Sequence, residues 1–259
     1  MILRATESGQ GPALCLLHGL FGSGRNLGAV QRRLSANFRV LALDLRNHGA
    51  SPHAPVMHYA AMAADVAATL AARAALPAVL LGHSMGGKVA MRLALDEPPA
   101  VTALVSADIA PVAYPPHHRG LLAAMQALAL SPGLTRARAD AALAVSVPDS
   151  RVRGFLLQNL STGENPFWRL GLAEIAASMP ALEDFPPLPG ARYAGPALFI
   201  GGGRSDYLRA EHHALIRSLF PAARFATLPG AGHWLHADDP EGFLALVAPF
   251  LAEVTAAAP

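Results

Sequence analysis

A serine framed by two glycines is the most chemically suggestive feature of the sequence. Residues 82–86 read G-H-S-M-G, which matches the G-x-S-x-G pattern of a nucleophile elbow. The apolar run before this motif is typical of a buried strand, and the run from Val89 onward is typical of a helix. Gly82 and Gly86 are required at such a turn because a Cβ there would collide with the neighbouring strand and helix. Ser84 is therefore predicted to be an exposed nucleophile.

A second glycine loop could supply an oxyanion hole. Residues 13–17 form an apolar strand pattern, and residues 18–22 after it read H-G-L-F-G. A loop of this kind lies beside the elbow, so we expect the backbone N–H of Leu20 to be one donor. The N–H of Met85, at the start of the following helix, is the second. The alternative interpretation of the loop is a simple glycine turn.

A serine nucleophile needs a base within hydrogen-bond reach and a carboxylate that orients the base. Among eleven histidines, His233 has the expected late position, in a glycine-framed loop after a predicted strand. His236, three residues later, is its nearest rival. We expect the side chain of His83 to leave the elbow on a different side from the serine.

Two aspartates compete for the role of the acid. Asp108 follows the strand predicted for residues 101–107, and Asp206 follows the strand predicted for residues 197–200. Ligands of open α/β sheets bind outside the carboxyl ends of the strands, so both positions are eligible. Asp108 could instead cap a turn before Pro111, and Asp206 could cap the next helix. Residue types and spacing leave the two candidates equal.

The elements that must position these residues alternate between strand and helix. A helix is predicted over residues 59–76, ended by Pro77, and a final helix over residues 240–254. Near-continuous apolar runs predict six buried strands, at residues 13–17, 39–43, 78–81, 101–107, 197–200 and 223–228. This alternation predicts an α/β fold with a mostly parallel central sheet flanked by helices.

The alternation stops between residues 111 and 190. Helix-like patterns fill this segment, one of them over residues 167–179, and no convincing strand is visible. We predict a helical cap at 111–190, inserted between a first part of the core at 1–110 and a second part at 191–259. The cap is expected to form an apolar acyl pocket from Phe155, Phe167 and Trp168, with His117 and His118 at the surface or facing substrate.

Composition excludes several classes of function. The 259 residues are 53% hydrophobic and carry a net charge of +2 without blocks of like charge, so nucleic acid is not an expected partner. Cys15 is the only cysteine and is expected to be an inert buried thiol. No apolar stretch reaches the roughly 18 residues of a membrane span, and we expect a cytoplasmic protein. No metal or organic cofactor is implied, and the oligomeric state is left open.

These motifs together resemble the α/β-hydrolase superfamily throughout the chain, and within it the YbfF-like branch of small esterases and acyl-thioester hydrolases. The resemblance implies an α/β-hydrolase fold with an inserted helical cap. The segments that carry it are residues 18–23, 44–49, 82–88, 108–111 and 230–234.

The resemblance also bears on the acid. In that branch the acid lies in a D-I-x-P motif, which here begins at Asp108. The later loop of the branch usually reads G-G-x-S-x-[YF], and residues 202–207 match it. Ser205 then occupies the place where many related enzymes carry their acid, and Asp206 is displaced by one position. Asp108 is therefore favoured, with Asp206 as the alternative.

The function predicted from these observations is a serine hydrolase that cleaves carboxylic ester or thioester bonds of a small-molecule substrate. The resemblance adds acyl-CoA thioesters, whose phosphates could meet Arg119, Arg151 and Arg153. C–C bond hydrolysis and perhydrolysis on the same fold are alternative reactions. A catalytically silent ligand-binding protein is the alternative outside enzymes, because a fold does not determine a function.

The loop after the second strand is expected to be scaffold. Residues 44–52 are densely polar, and we expect Asp44 and Arg46 to form a charged pair within them.

Overall fold

The computed structural model describes residues 1–256. Its strands are β1 (Ala5–Ser8), β2 (Ala13–Leu17), β3 (Arg39–Leu43), β4 (Ala78–His83), β5 (Val101–Ala107), β6 (Leu160–Ser161), β7 (Phe167–Trp168), β8 (Ala197–Gly202) and β9 (Ala223–Leu228). Its α-helices are α1 (Gly28–Leu34), α2 (Tyr59–Ala72), α3 (Met85–Asp96), α4 (Arg119–Ala127), α5 (Arg136–Leu143), α6 (Ser150–Leu156), α7 (Leu172–Glu183), α8 (His213–Leu219), α9 (Leu235–Asp238) and α10 (Pro240–Ala256). Short 3₁₀ turns occupy Gly24–Leu27, Pro98–Ala100, Leu157–Asn159 and Ala210–His212.

Seven of the strands form one sheet in the order β1-β3-β2-β4-β5-β8-β9. β1 pairs antiparallel with β3, and the other neighbours in this sheet run parallel. Parallel strands covered on both faces are apolar throughout, and all six residues of β4 are buried. The predicted α/β-hydrolase fold with a mostly parallel sheet is confirmed.

Helices cover both faces of this sheet. On one face α1 and α10 contribute apolar side chains such as Val30 and Phe243. On the other face α2, α3 and α8 contribute Val66, Val89 and Ile216. These two apolar layers hold β4 in the middle of the sheet, so the turn at its carboxyl end has a rigid base.

Residues 111–190 contain α4 to α7 and a small hairpin in which β6 pairs antiparallel with β7. The prediction of a segment without strands was therefore wrong at β6 and β7, whose two residues each are too short for a periodic pattern. The helix predicted over residues 167–179 begins only at Leu172, because residues before Gly171 belong to the hairpin.

Two further differences concern the core. The polar strand β1 was not predicted, because only Ala5 of its four residues is buried. The helix predicted to reach residue 76 ends at Ala72, where Ala74 takes a left-handed φ of 49°. None of the helices in residues 1–256 has the length and apolar character needed to cross a bilayer.

Candidate active site

The predicted nucleophile lies at the turn between β4 and α3. Ser84 has φ of 53° and ψ of −120°, a backbone conformation that is rare for a residue with a side chain. A bond of 3.0 Å from its N–H to the carbonyl of Ala107 anchors the turn. A Cβ on Gly82 would overlap the carbonyl of Gly86, and a Cβ on Gly86 would overlap the carbonyl of Leu17. The sequence predicted these steric roles of the two glycines.

The structure brings Ser84, His233 and Asp108 into one hydrogen-bonded chain. His233 lies in the loop between β9 and α9, and its Nε2 is 3.0 Å from Oγ of Ser84. Its Nδ1 is 2.7 Å from Oδ2 of Asp108. In this geometry Nδ1–H donates to the carboxylate, which leaves Nε2 free to accept the serine proton.

The carboxylate of Asp108 is completely buried and is held by several donors. Its Oδ1 accepts a bond of 2.9 Å from the N–H of Gly202 at the end of β8, and its Oδ2 accepts from the hydroxyl of Ser205. The backbone N–H of Asp108 in turn donates to the carbonyl of Ile200 at 2.8 Å. These bonds replace the water that a buried charge has lost.

The alternative acid, Asp206, lies elsewhere. Its side chain is 88% exposed and pairs with Arg209 at 3.2 Å. The preceding residue, Ser205, points inward to Asp108, so the backbone alternation turns Asp206 away from His233. The structure therefore brings Asp108, and not Asp206, to the histidine.

An aromatic side chain from the same loop covers the histidine. The ring of Tyr207 stacks on the imidazole of His233, with 4.1 Å between centroids and 25° between planes. No role was predicted for Tyr207, although the aromatic residue at the last position of the loop motif was a signal for it. The ring of Tyr207 lies against one face of the imidazole and therefore limits its rotation.

The two predicted oxyanion donors line the same cavity as the serine. Within residues 1–256 the N–H of Leu20 donates to no other group, and the N–H of Met85, at the first position of α3, has no intrahelical acceptor. Both residues line a cavity that also contacts Ser84. The loop that carries Leu20 is closed by a bond of 2.9 Å from the N–H of Gly22 to the carbonyl of Gly19.

Two buried histidines support that loop. His18 and His48 lie with ring centroids 5.1 Å apart. Nδ1–H of His18 donates to the carbonyl of Gly19, and Nε2 accepts from the N–H of Leu45 at 2.9 Å. Burial lowers the pKa of His18 to about 4. Burial, and then the neighbouring His18, lowers the pKa of His48 to about 3. Both imidazoles are therefore neutral at pH 7.

The other histidines near the serine have different positions. His83 leaves the elbow on another side, as predicted, and its Nε2–H donates to the carbonyl of His233 at 2.8 Å. His236 packs 4.8 Å from the ring of His83 and makes no bond to Ser84 within the described chain. Burial, and then the nearby His233, lowers the pKa of His236 to about 4.

Two cavities reach Ser84. The larger has a volume of about 850 Å³, and Leu121, Val152 and Phe155 of the 111–190 segment contribute to its wall. His118 lines both cavities, in agreement with its expected position facing substrate, whereas His117 is exposed.

Two of the three aromatic residues predicted for the pocket are elsewhere. Phe167 is 52% exposed, and Trp168 donates from Nε1 to the carbonyl of Met125 at 3.1 Å. Both belong to the hairpin that the sequence analysis did not predict, which explains the error.

The three arginines expected to meet phosphates are held in ion pairs. Arg119 pairs with Glu183, and Arg153 pairs with Asp140; neither arginine lines either of the two cavities that reach Ser84. Arg151 does line the larger cavity. It pairs with Asp238 at 2.6 Å and lies over the ring of Trp234. Two arginines that were not predicted also line this cavity, namely Arg25 and Arg136.

The expected pair between Asp44 and Arg46 is absent. Asp44 accepts from the N–H groups of Gly24 and Ala50, at 2.8 and 2.9 Å. Arg46 pairs instead with Asp65 at 2.7 Å, on α2. The prediction was wrong because Asp65 is a buried carboxylate whose partner comes from another element.

Residues 16–246 match the sequence profile described as "Alpha/beta hydrolase family". The chain belongs to this family. This hydrolase is 42% identical over 250 residues to "sn-1-specific diacylglycerol lipase ABHD11" of Mus musculus, covering 93% of this chain and 81% of the relative. It is 38% identical over 239 residues to "Esterase YbfF" of Escherichia coli K12, covering 92% of each.

A solved structure extends the comparison. The protein titled "Marine microorganism esterase" superimposes with a TM-score of 0.93 and is 34% identical, covering 96% of this chain and 99% of the other. The resemblance to the YbfF-like branch is confirmed, and so is the prediction that the chain is an enzyme, a carboxylic ester hydrolase.

Proposed function

We propose that Ser84, His233 and Asp108 form a catalytic triad that hydrolyses carboxylic esters and thioesters through an acyl-enzyme. The observation that carries this proposal is the continuous chain of bonds, 3.0 Å from serine to histidine and 2.7 Å from histidine to aspartate. These distances lie within the reach required of a nucleophile, its base and the group that orients the base.

In the first step the Oγ of Ser84 forms a bond to the carbonyl carbon of the substrate, and its proton moves to Nε2 of His233. The buried carboxylate of Asp108 stabilises the imidazolium that results. The C–O or C–S bond then breaks, and the leaving alcohol or thiol takes the proton from Nε2. An acyl group remains on the serine.

In the second step water replaces the leaving group. His233 removes a proton from the water, the water oxygen bonds to the acyl carbon, and the acid product leaves as Oγ recovers the proton. In both steps the carbonyl oxygen carries a negative charge, which the N–H groups of Leu20 and Met85 stabilise by donating hydrogen bonds to it. Each such donor contributes about 10²- to 10³-fold to the rate.

We further propose that residues 111–190 act as a cap that shapes the leaving-group side of the site. Their contribution to the wall of the 850 Å³ cavity supports this, because drug-sized ligands occupy pockets of roughly 300–1,000 Å³. Acyl-CoA thioesters belong to the proposed substrates, since the guanidinium groups of Arg25 and Arg136 line this cavity and suit phosphates, whereas Arg151 lines it as the ion-pair partner of Asp238.

A fluorophosphonate probe tests the proposed nucleophile. We expect it to label the wild type at Ser84 and to leave the Ser84→Ala variant unlabelled. His233→Gln should abolish labelling, whereas His236→Gln, a matched change of a buried neighbouring histidine, should retain it. Labelling that survives in Ser84→Ala, or a wild type that neither labels nor hydrolyses 4-nitrophenyl butanoate, would contradict the triad and favour a silent binding protein.

A further inference from the structure

A buried cation lies one helical turn below the nucleophile. Lys88 is the only lysine of the chain, and it is 1% exposed although it carries an ammonium group. Residues four apart lie on the same face of a helix, about 6 Å apart along its axis, so Lys88 follows Ser84 along α3. A lysine is rarely buried to this extent without a partner.

The ammonium of Lys88 is only partly satisfied. Within residues 1–256, Nζ donates one hydrogen bond, to the carbonyl of Asp184 at 3.0 Å, and forms no ion pair with a carboxylate. The rings of Tyr114, Tyr59 and Phe185 surround it at 4.9, 5.3 and 6.0 Å. An ammonium has three N–H donors, so two of them remain for another acceptor.

The two nearby carboxylates, of Asp184 and Glu183, each bind another donor. Asp184 accepts at Oδ1 from the N–H of Phe185. Glu183 pairs with Arg119, and it lines the same smaller cavity as Lys88. Burial lowers the pKa of Lys88 to about 7, and the nearby carboxylate of Asp184 opposes this effect only in part. An anionic ligand beside Nζ would raise the pKa of Lys88 again.

The smaller cavity connects this cation to the reacting centre. It has a volume of about 40 Å³ and is lined by Lys88, by Ser84 and by the proposed oxyanion donors, Leu20 and Met85. The remaining wall is mostly apolar, with Ile109 and Met179 among its residues. A cavity of this size holds a few water-sized groups. Its position beside the oxyanion donors makes it the side on which the short acyl chain of a substrate lies.

We propose that Lys88 is a specificity-determining residue that binds a carboxylate at the far end of a short acyl chain. The substrates of this site are then monoesters or monothioesters of small dicarboxylic acids, whose free carboxylate accepts hydrogen bonds from the two spare N–H donors. This inference rests on the proposed function, because it requires the acyl group to be attached to Ser84.

Two esters with the same leaving group and the same number of acyl carbons test it. We expect the wild type to hydrolyse the 4-nitrophenyl monoester of succinic acid with a higher kcat/KM than 4-nitrophenyl butanoate. Lys88→Met should lower kcat/KM for the succinate monoester by about 10- to 100-fold, the effect of losing a hydrogen bond to a charged group, and change that for butanoate less than about threefold.

Arg92→Met is the matched control, because Arg92 is a cation of the same helix that pairs with Asp96 at the surface. It should leave the ratio of the two kcat/KM values unchanged. The inference is overturned if Lys88→Met lowers both values equally, since Lys88 would then only support the fold, or if the wild type prefers butanoate.

Inhibition of the wild type gives a second measurement that does not depend on the folding of a variant. With 4-nitrophenyl acetate as substrate, succinate should inhibit at least about 10-fold more tightly than butanoate. Equal inhibition would reject the carboxylate site. Even in that case, loss of 4-nitrophenyl butanoate hydrolysis in Ser84→Ala would support the triad. The two proposals can therefore fail separately.

Discussion

The backbone N–H of Phe21 donates a hydrogen bond to Nε2 of His48 over 3.1 Å. Phe21 has φ of 60°, so this bond holds the loop in a conformation that residues with a side chain rarely adopt. Nδ1–H of His48 is committed to the carbonyl of Arg46, which fixes the tautomer. The loop that carries Leu20, a proposed oxyanion donor, therefore depends on a neutral imidazole, since a protonated Nε2 cannot accept a bond.

This dependence predicts a loss of stability in mild acid. The pKa values of His18 and His48 are lowered by folding to about 4 and 3, from a usual value near 6.5. The unfolded state binds protons first as the pH falls, so stability is complete above pH 6.5 and declines below it. By pH 5 each histidine should lower the free energy of unfolding by about 2 kcal/mol.

Urea denaturation at pH 7.5 and pH 5 measures this effect. His48→Gln removes one titrating group and should flatten the dependence on pH in this range, while lowering the stability at pH 7.5. A free energy of unfolding that is the same at both pH values in the wild type would contradict the prediction.

The choice between the two aspartates gives a kinetic prediction. Asp108→Asn should lower kcat by about 10³- to 10⁴-fold, because an amide cannot stabilise the imidazolium or hold the correct tautomer. Asp206→Asn should change kcat less than about twofold, because the carboxylate is solvated and far from the bonds of His233. Steady-state hydrolysis of 4-nitrophenyl butanoate distinguishes them. A severe loss in Asp206→Asn would place the acid at the later strand.

The hydroxyl of Ser205 should contribute a smaller effect. Ser205→Ala removes one donor from the carboxylate of Asp108 and leaves the N–H of Gly202 in place. We expect kcat to fall by about 10-fold, the value of one hydrogen bond to a charged group. Ser205→Thr keeps the hydroxyl and should retain most of the rate. If the alanine and threonine variants are equally impaired, packing of the side chain and not the hydrogen bond is responsible.

Glycine at the elbow should be needed for stability as well as for geometry. Gly86→Ala would force a Cβ into the carbonyl of Leu17, a backbone atom that cannot move freely, and should lower the free energy of unfolding by about 3 kcal/mol or more. Gly120→Ala is the matched control, because no atom lies within 4 Å of the added Cβ and the position is in α4. It should be neutral or stabilising by up to about 1 kcal/mol. Thermal unfolding of the two variants measures the difference.

Local sequence patterns were sufficient to predict much of the fold and of the candidate site. Apolar runs that end in glycine motifs predicted the central strands, because parallel strands must be apolar along their whole length. The positions of Ser84 and His233 followed from the same strand ends. The strand β1 and the β6–β7 hairpin could not be predicted in this way, since a polar edge strand and two-residue strands carry no periodic signal.

Partners between distant elements explain the remaining errors. Arg46 binds Asp65 on α2 and not the neighbouring Asp44, and no local pattern in the loop indicates that choice. Lys88 was likewise visible only as the last residue of a glycine motif. Its burial depends on aromatic rings from α2, from the segment after β5 and from the segment just after α7, which the sequence does not show to be adjacent.

β9 lies at the edge of the sheet and is followed by the loop that carries His233. Loss of activity should therefore be a sensitive measure of whether β9 is still paired with the sheet. Within residues 1–256, β9 pairs only with β8, and five of its six residues are at least partly exposed. His233 is carried by the loop just beyond this edge strand, whereas Ser84 stands at the centre of the sheet. A local opening at the edge would remove the histidine while most of the secondary structure persists. With His233 as the proposed base, we therefore expect the enzyme to lose activity before it unfolds.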